Sequence, residues 1–503
     1  MMHKLRLLAV IALATGWAFG AAAQGTLRIG INEDPDALDP ATNRLASGRQ
    51  PLTAICDKLF DVSTDLDLVP QLAESYVVAP DGMSVTLKLR PGVTFHDGEP
   101  MNAEAVRFTL ERNVTRTGSL RRSELTALDH AEVVDPLTLR LVLKEPQSSL
   151  LLINLAERAG MIVSPKASEA LGDRFGTAPV CAGPYRFVER VPQGRIVVER
   201  YANYWDRAMQ GPDRIEYMPI TDSTVRISAL RSGELQIAER LTPTDLPQLD
   251  ADPNVNVVSA PDLGYHVIRL NTNNGPHGAL LGRDVRIRQA INLAIDRNAM
   301  VHALFEDKYT AGNQFVNPSN PNYDTSHPVP ERDVAASRRL LRAAGVPNLT
   351  FTLLVPPERE RQEAAQFIQA MLSEAGITMN LETQENATML QNGRRGQFEA
   401  LFTFWSGRPH PDGNVFTHYS CTGPQNDSKY CNAALDEILV KARQTDDAAE
   451  RQRLYRSANA ILAEELPSLI LWHRRTFTGV STRVRGFVPH PDSTIRVRGI
   501  TLQ

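Results

Sequence analysis

A chain of 503 residues with 42% apolar, 22% charged and 6% aromatic side chains is long enough for about three domains and for cores that need no metal or crosslink. These ordinary globular proportions exclude a disordered, collagenous, coiled-coil or multi-span membrane chain. Lys plus Arg (54) against Asp plus Glu (58) leaves a net charge of −4, without the basic excess of a nucleic-acid-binding protein.

The first element is an address. Met1 to Ala23 begins with Lys4 and Arg6, continues through an apolar run from Leu7 to Ala14 and ends in Ala21-Ala22-Ala23. That order is a secretory signal peptide, cut before Gln24. The run falls short of the ~20 residues that a membrane span needs. Cleavage removes Lys4 and Arg6 and moves the net charge from −4 to −6. The expected product is a soluble exported protein, without a cysteine near its N-terminus to carry a lipid.

Along the mature chain, Thr26 to Asn32 alternates and reads as a strand, followed by the acidic, Pro-containing loop EDPDALDP. Ala46 to Val62 reads as a helix. Ser84 to Leu89 alternates strictly, as a half-buried strand does. Asn102 caps a helix through Arg112. Leu137 to Leu143 is a strand, Tyr185 to Val191 and Arg195 to Tyr201 form a hairpin, and Arg214 to Ile220 is a further strand. Asp222 to Ser232 is a helix stopped by Gly233. Tyr265 to Asn271 is a strand, and Asp284 caps one long helix, DVRIRQAINLAIDRNAMVHALF. Leu349 to Val355, Gln362 to Ala375, Thr378 to Thr383 and Phe398 to Trp405 read strand, helix, strand, strand, the grammar of an α/β lobe. Helices at Ala433 to Ala442 and Asp447 to Glu464 lead to a last strand, Ser468 to Trp472, and an alternating tail from Arg483. No internal repeat occurs.

Four cysteines in an exported chain favour disulfides. Cys421 and Cys431 bracket a polar, turn-rich loop and are expected to pair. Cys56 and Cys181 then either pair across the fold or stay as buried thiols. Neither CxxC nor a finger-spaced His pair appears, so no metal or other cofactor is expected.

Motifs of catalysis are missing. GxSxG, HExxH, GxxxxGK[ST] and GxGxxG do not occur, and the histidines are scattered. His96 lies in a turn, FHDGEP, and His410 lies between two prolines. The order of elements instead predicts a mixed α/β chain of two lobes joined by more than one crossing strand, with a cleft for ligand between them.

Several stretches carry a resemblance. LVPQLAESYVVAPDGMSVTLKLRPGVTFHDGEPMNAEAVRFTLER, CAGPYRFVE, YANYWD, TDSTVRISALRSGELQ, DVRIRQAINLAIDR and FTFWSGRPHPDGNVFTHYSC resemble, in order, the periplasmic solute-binding proteins of peptide-type ABC importers. The resemblance implies an α/β, two-lobed periplasmic-binding-protein fold with an extra α+β insertion. Domain I would comprise residues 24–68, 181–270 and 465–503, the insertion 69–180, and the second ligand-gripping lobe 271–464. It also implies a periplasmic monomer without catalysis, a peptide or peptide-like ligand, and delivery to a membrane permease with its ATPase. A chelated metal such as nickel is the alternative ligand, with His410 and His418 as suspects. An exported hydrolase is the rival of another class.

In dipeptide and oligopeptide binders a Trp-x-Gly-Asp segment lies in the cleft, and its Asp pairs with the ligand's amino group. Here Trp405, Ser406 and Gly407 match, but Arg408 replaces the acid. An ammonium in contact with Arg408 would be repelled by ~4 kcal/mol at an intermediate dielectric. A planar guanidinium suits a carboxylate instead, as on a modified peptide such as glutathione or an opine. The alternative is that Arg408 pairs with Asp412 or another protein acid. Asp36 is a candidate for the missing amine partner. Arg359 stands where relatives place a carboxylate-binding Arg, although Arg361 shares its run. Tyr265 is expected to face the cleft, and Trp405 to line it.

Overall fold

The computed structural model describes residues 25–503 apart from Gln210 and Asp446; the signal-peptide segment lies outside the described residues. One mixed sheet runs through both lobes. Its order is Thr378–Thr383, Thr350–Val355, Ala400–Trp405, Val255–Leu270, Ser468–Ser481, Ile237–Ala238, Thr26–Ile31, Arg214–Pro219, Arg195–Arg200 and Tyr185–Val191. The first strand of the chain, Thr26–Ile31, lies between two parallel neighbours, Arg214–Pro219 and Ile237–Ala238. Alternate residues of a strand share one face, and on this strand that face carries Leu27, Ile29 and Ile31, all fully buried.

Two strands cross between the lobes. Val255–Leu270 and Ser468–Ser481 pair antiparallel from Val255↔Ser481 to Arg269↔Ser468. The sequence reading finds only their lobe-II ends, Tyr265 to Asn271 and Ser468 to Trp472. Pro261, Asp262 and Gly264 interrupt the strand pattern, and the ladder does shift register between Pro261 and Tyr265. Asp262 holds this irregular stretch, because its Oδ1 accepts from Gly264 N at 2.7 Å and its Oδ2 from Ser493 Oγ at 3.0 Å.

The region between the first crossings of domain I carries its own four-stranded antiparallel sheet, ordered Ala73–Val78, Ser84–Leu89, Thr138–Leu143 and Leu128–Asp135. The helix Ala103–Thr115 packs on it, capped by Asn102, whose side chain accepts from Ala105 N at 3.1 Å. The apolar core of this unit reaches back to Leu59, Phe60 and Val62 and forward to Ala182.

Two sequence-derived elements are corrected. The helix expected over Ala46 to Val62 ends at Ile55, and Phe60–Val62 is a strand paired with Leu68–Pro70. The chain has to straighten there because Asp57 and Lys58 are tied to Gln71. The long helix after Asp284 is two helices, Val285–Ala294 and Arg297–Phe305. Asp296 caps the second by accepting from Ala299 N at 2.9 Å, and a side chain that serves as a cap favours a break over a continuous helix. The tail pairs only over Val484–Arg485 and Thr501–Leu502.

Both disulfides are present. Cys421–Cys431 closes the polar loop, and Cys56–Cys181 joins residues 125 apart in sequence. No helix among the described residues is long and apolar enough to cross a membrane.

Candidate functional site

The strand Ala400–Trp405 runs beside the crossing strand Val255–Leu270, with Trp405 opposite Tyr265. It delivers Trp405, Ser406, Gly407 and Arg408 to the junction of the lobes. Gly407 makes the turn. Its φ is +70°, and a Cβ there would lie 2.2 Å from Leu263 O. A side chain at this position meets both left-handed strain and the backbone of the crossing strand. Gly407→Ala is therefore expected to destabilise the fold by more than the ~1 kcal/mol of the backbone conformation alone, read as a lower denaturant midpoint; an unchanged midpoint would refute this reading.

Asn414 locks the turn. Its Oδ1 accepts from Trp405 Nε1 at 2.8 Å and from Arg408 N at 2.7 Å, while its Nδ2 donates to Arg408 O at 3.1 Å. The Arg408 guanidinium lies 4.6 Å from the Trp405 ring centre, a cation–π arrangement. Arg408 Nη1 donates to Gly407 O at 2.6 Å and Ser406 Oγ at 3.3 Å. Asp412 is engaged elsewhere, by Arg443 at 3.0 Å. Among the described residues no carboxylate lies within 4 Å of Arg408, and burial lowers its proton affinity from the ordinary guanidinium value.

The other candidates separate. Tyr265 is 1% exposed and donates to Asn414 O at 3.3 Å, so it supports the turn from behind. Asp36 is exposed, and its carboxylate accepts from Asn43 Nδ2 and from the backbone N–H groups of Arg44 and Leu45. It fixes the loop after the first strand. Arg359 is exposed and pairs with Glu363, whereas Arg361 is buried and pairs with Glu358. The structure thus brings together Trp405, Ser406, Gly407, Arg408 and Tyr265, and leaves Arg359 and Asp36 outside that group.

Sequence reasoning missed two features of the junction. The first is basic: Arg49, Arg121 and Arg158 are all buried and close enough to Arg408 to act on the same charges. The second is acidic. Glu33 and the buried Glu239 both have proton affinities raised by burial, with Arg240 opposing the rise. Glu33 forms no ion pair within 4 Å among the described residues and is also influenced by Glu358 of the opposite lobe. Asn32 N donates to Glu239 at 3.1 Å and Gln50 also donates to it. The sequence signal for Glu33 is its place directly after the first strand, three residues before Asp36.

The histidines do not assemble a site. His410 and His473 are pushed down to about 3 and His96 to about 4, in each case chiefly by burial. No group of three or more His, Cys, Asp and Glu among the described residues is placed to hold a metal ion. A histidine with a depressed native pKa takes up its proton more readily when unfolded. Stability therefore falls as pH drops from about 6.5 towards the native values. His473→Asn is expected to flatten the loss of denaturant midpoint between pH 7 and pH 4.5, and an unchanged slope would refute the assignment.

Two lobes spanned by a shared sheet and joined by two crossing strands define the class of two-lobed solute-binding proteins. The chain belongs to the bacterial extracellular solute-binding proteins, family 5, whose model matches residues 67–427. It is 30% identical over 502 residues to the glutathione-binding protein GsiB of Salmonella typhi, covering 97% of this chain and 96% of the relative. The fold resembles DppA of Helicobacter pylori in complex with the peptide STSA, with a TM-score of 0.86, 25% identity and coverage of 95% and 98%. It also resembles AgaA of A.tumefacien R10 in complex with agropinic acid, with a TM-score of 0.84, 25% identity and coverage of 95% and 99%.

Proposed function

We propose that this protein is the periplasmic solute-binding component of an ABC importer and captures a short peptide or peptide-like acid between its lobes without chemical change. The observation that carries the reading is Arg408. It stands in the segment where the peptide binders that this chain resembles have an acid, lies against Trp405, and meets no protein carboxylate within 4 Å among the described residues. A guanidinium held over an aromatic ring and left without an anion suits a ligand carboxylate.

Glu33 takes the role of amine partner that Asp36 cannot fill, since the carboxylate of Asp36 already serves its loop. The ligand thereby offers acid to lobe II and amine to domain I, and it stabilises closure because only the closed state offers both contacts. GsiB relatives named for glutathione and a neighbour bound to agropinic acid support a modified peptide or amino-acid conjugate.

The test is to purify the protein from the periplasm, denature it and analyse the released molecules by mass spectrometry. An intact acid-bearing peptide or conjugate that rebinds to the refolded protein is the expected result. Cleavage products, together with turnover of added peptide, would overturn it.

A further inference from the structure

The basic end of the junction is assembled from three parts of the molecule. Arg49 comes from the helix Ala46–Ile55 of domain I, Arg121 and Arg158 come from the inserted region, and Arg408 comes from lobe II. Two acids accompany them, Glu124 beside Arg121 and Glu157 beside Arg49 at 3.6 Å. Four cations against two anions leave a local charge of 4 − 2 = +2.

The geometry of the arginines is fixed without satisfying them. Arg158 Nη1 donates to Asn43 Oδ1 at 3.0 Å, and Arg121 Nη2 donates to Asn43 O at 3.2 Å. Asn43 is fully buried, and its amide is oriented by Asp36 through a 2.6 Å hydrogen bond. Arg49 Nη2 donates to Asp492 O at 3.1 Å. Arg121 and Arg158 are only 3% and 4% exposed, yet the Nε of each has no hydrogen-bond partner. One oxygen of Glu124 is also unpaired. Arg158 forms no ion pair within 4 Å among the described residues.

Asp492 does not discharge this end. It is bound to Arg496 at 2.6 Å and to His490 at 2.9 Å, and Arg496 in turn engages Asp61. Asp39 is likewise bound to Arg112 and Arg116. Burial of like charges is costly unless a counter-charge completes the group. Burial and the neighbouring Arg121, Arg49 and Arg408 all push the proton affinity of Arg158 well below its ordinary value.

We infer that Arg49, Arg121 and Arg158 form a second anion subsite next to Arg408, so that the protein selects solutes with two acidic groups over those with one. This deepens the proposed function and rests on it. One carboxylate engages Arg408 from lobe II and the other is shared by the domain-I and inserted-region arginines. A doubly acidic solute therefore bridges all three parts of the molecule, and a singly acidic one leaves a buried positive charge unmatched.

The experiment is isothermal titration with matched probes: glutathione against its glycine monoethyl ester, and Gly-Glu against Gly-Gln. Each diacid is expected to bind at least tenfold more tightly than its partner. The preference should fall below threefold in Arg158→Gln and in Arg121→Gln, with circular dichroism confirming the fold. Should one variant fail to fold, the other and a salt titration of the wild type read the same quantity, the diacid losing affinity more steeply with salt than the monoacid. Equal affinity within each wild-type pair, or a preference that persists in the folded variants, would overturn the second subsite while leaving the receptor reading intact. Binding of neither pair nor any other short peptide would overturn the receptor reading and the subsite with it.

Discussion

Arg408→Asp is expected to weaken binding of an acid-bearing ligand by about 100-fold or more while leaving the fold intact. The substitution changes the local charge from +2 to 3 − 3 = 0, using the four arginines and two glutamates at this end. Contact between a carboxylate and a guanidinium amounts to ~4 kcal/mol at an intermediate dielectric, and the new aspartate replaces that attraction with repulsion. Solvent and salt screening reduce the swing, which is why two decades rather than more are expected. Stability should hold for two reasons. No protein ion pair is broken, and the new carboxylate enters surroundings rich in arginine. Calorimetry against glutathione, paired with a thermal melt, separates affinity from stability. A drop in melting temperature comparable with the loss of affinity would show that Arg408 is structural.

The second large effect concerns Cys56–Cys181. The bridge closes a segment of 125 residues, against 10 for Cys421–Cys431. In the chain-entropy view such a long loop contributes about 5 kcal/mol and the short one about 3 kcal/mol. Cys56→Ala with Cys181→Ala should therefore lower the denaturant midpoint more than the equivalent change at Cys421 and Cys431. Both cysteines of the long bridge are buried in the core of domain I. Alanines there also leave space unfilled, so reduction of the Cys421→Ala, Cys431→Ala protein, which keeps only the long bridge, provides a volume-neutral control. A smaller effect for the long bridge than for the short one would refute the assignment.

Much of the fold was legible because local rules and tertiary packing agree. Ser84–Leu89 alternates and lies in the sheet, and Asn102 and Asp284 cap the helix starts that they were expected to cap. Gly345 and Gly376 both adopt positive φ at helix ends. The crossing strands were half-hidden because Pro261, Asp262 and Gly264 bend one of them, and because Arg474, Arg475 and Thr476 give the other a polar middle. The two arginines of that middle are half-buried, and Arg474 keeps its proton strongly, since Tyr309, Glu360 and Asp262 outweigh the penalty of its partial burial.

The candidate site was legible only where one segment carries it. Trp405 to Arg408 announced themselves through their order. Arg49, Arg121 and Arg158 did not, because they lie in three separate segments without a motif, and only folding brings them together. The choice between Arg359 and Arg361 also needed the helix phase. Two residues along a helix place them on different faces, so one points to solvent and the other inward.

The paired crossing strands limit how the two lobes can move relative to each other. A hydrogen-bonded ladder bends and twists, but sliding it by one residue would turn every side chain to the opposite face. The ladder between Val255–Leu270 and Ser468–Ser481 shifts register between Pro261 and Tyr265 and again between His266 and Val267, and each paired stretch is fixed, so the lobes can rotate about the ribbon but cannot draw apart along it. The position of Trp405 relative to domain I is then changed by rotation and not by sliding. The same strand that sets this motion also backs the Trp405–Arg408 turn, through Tyr265 and Leu263, so the turn is carried with the ribbon.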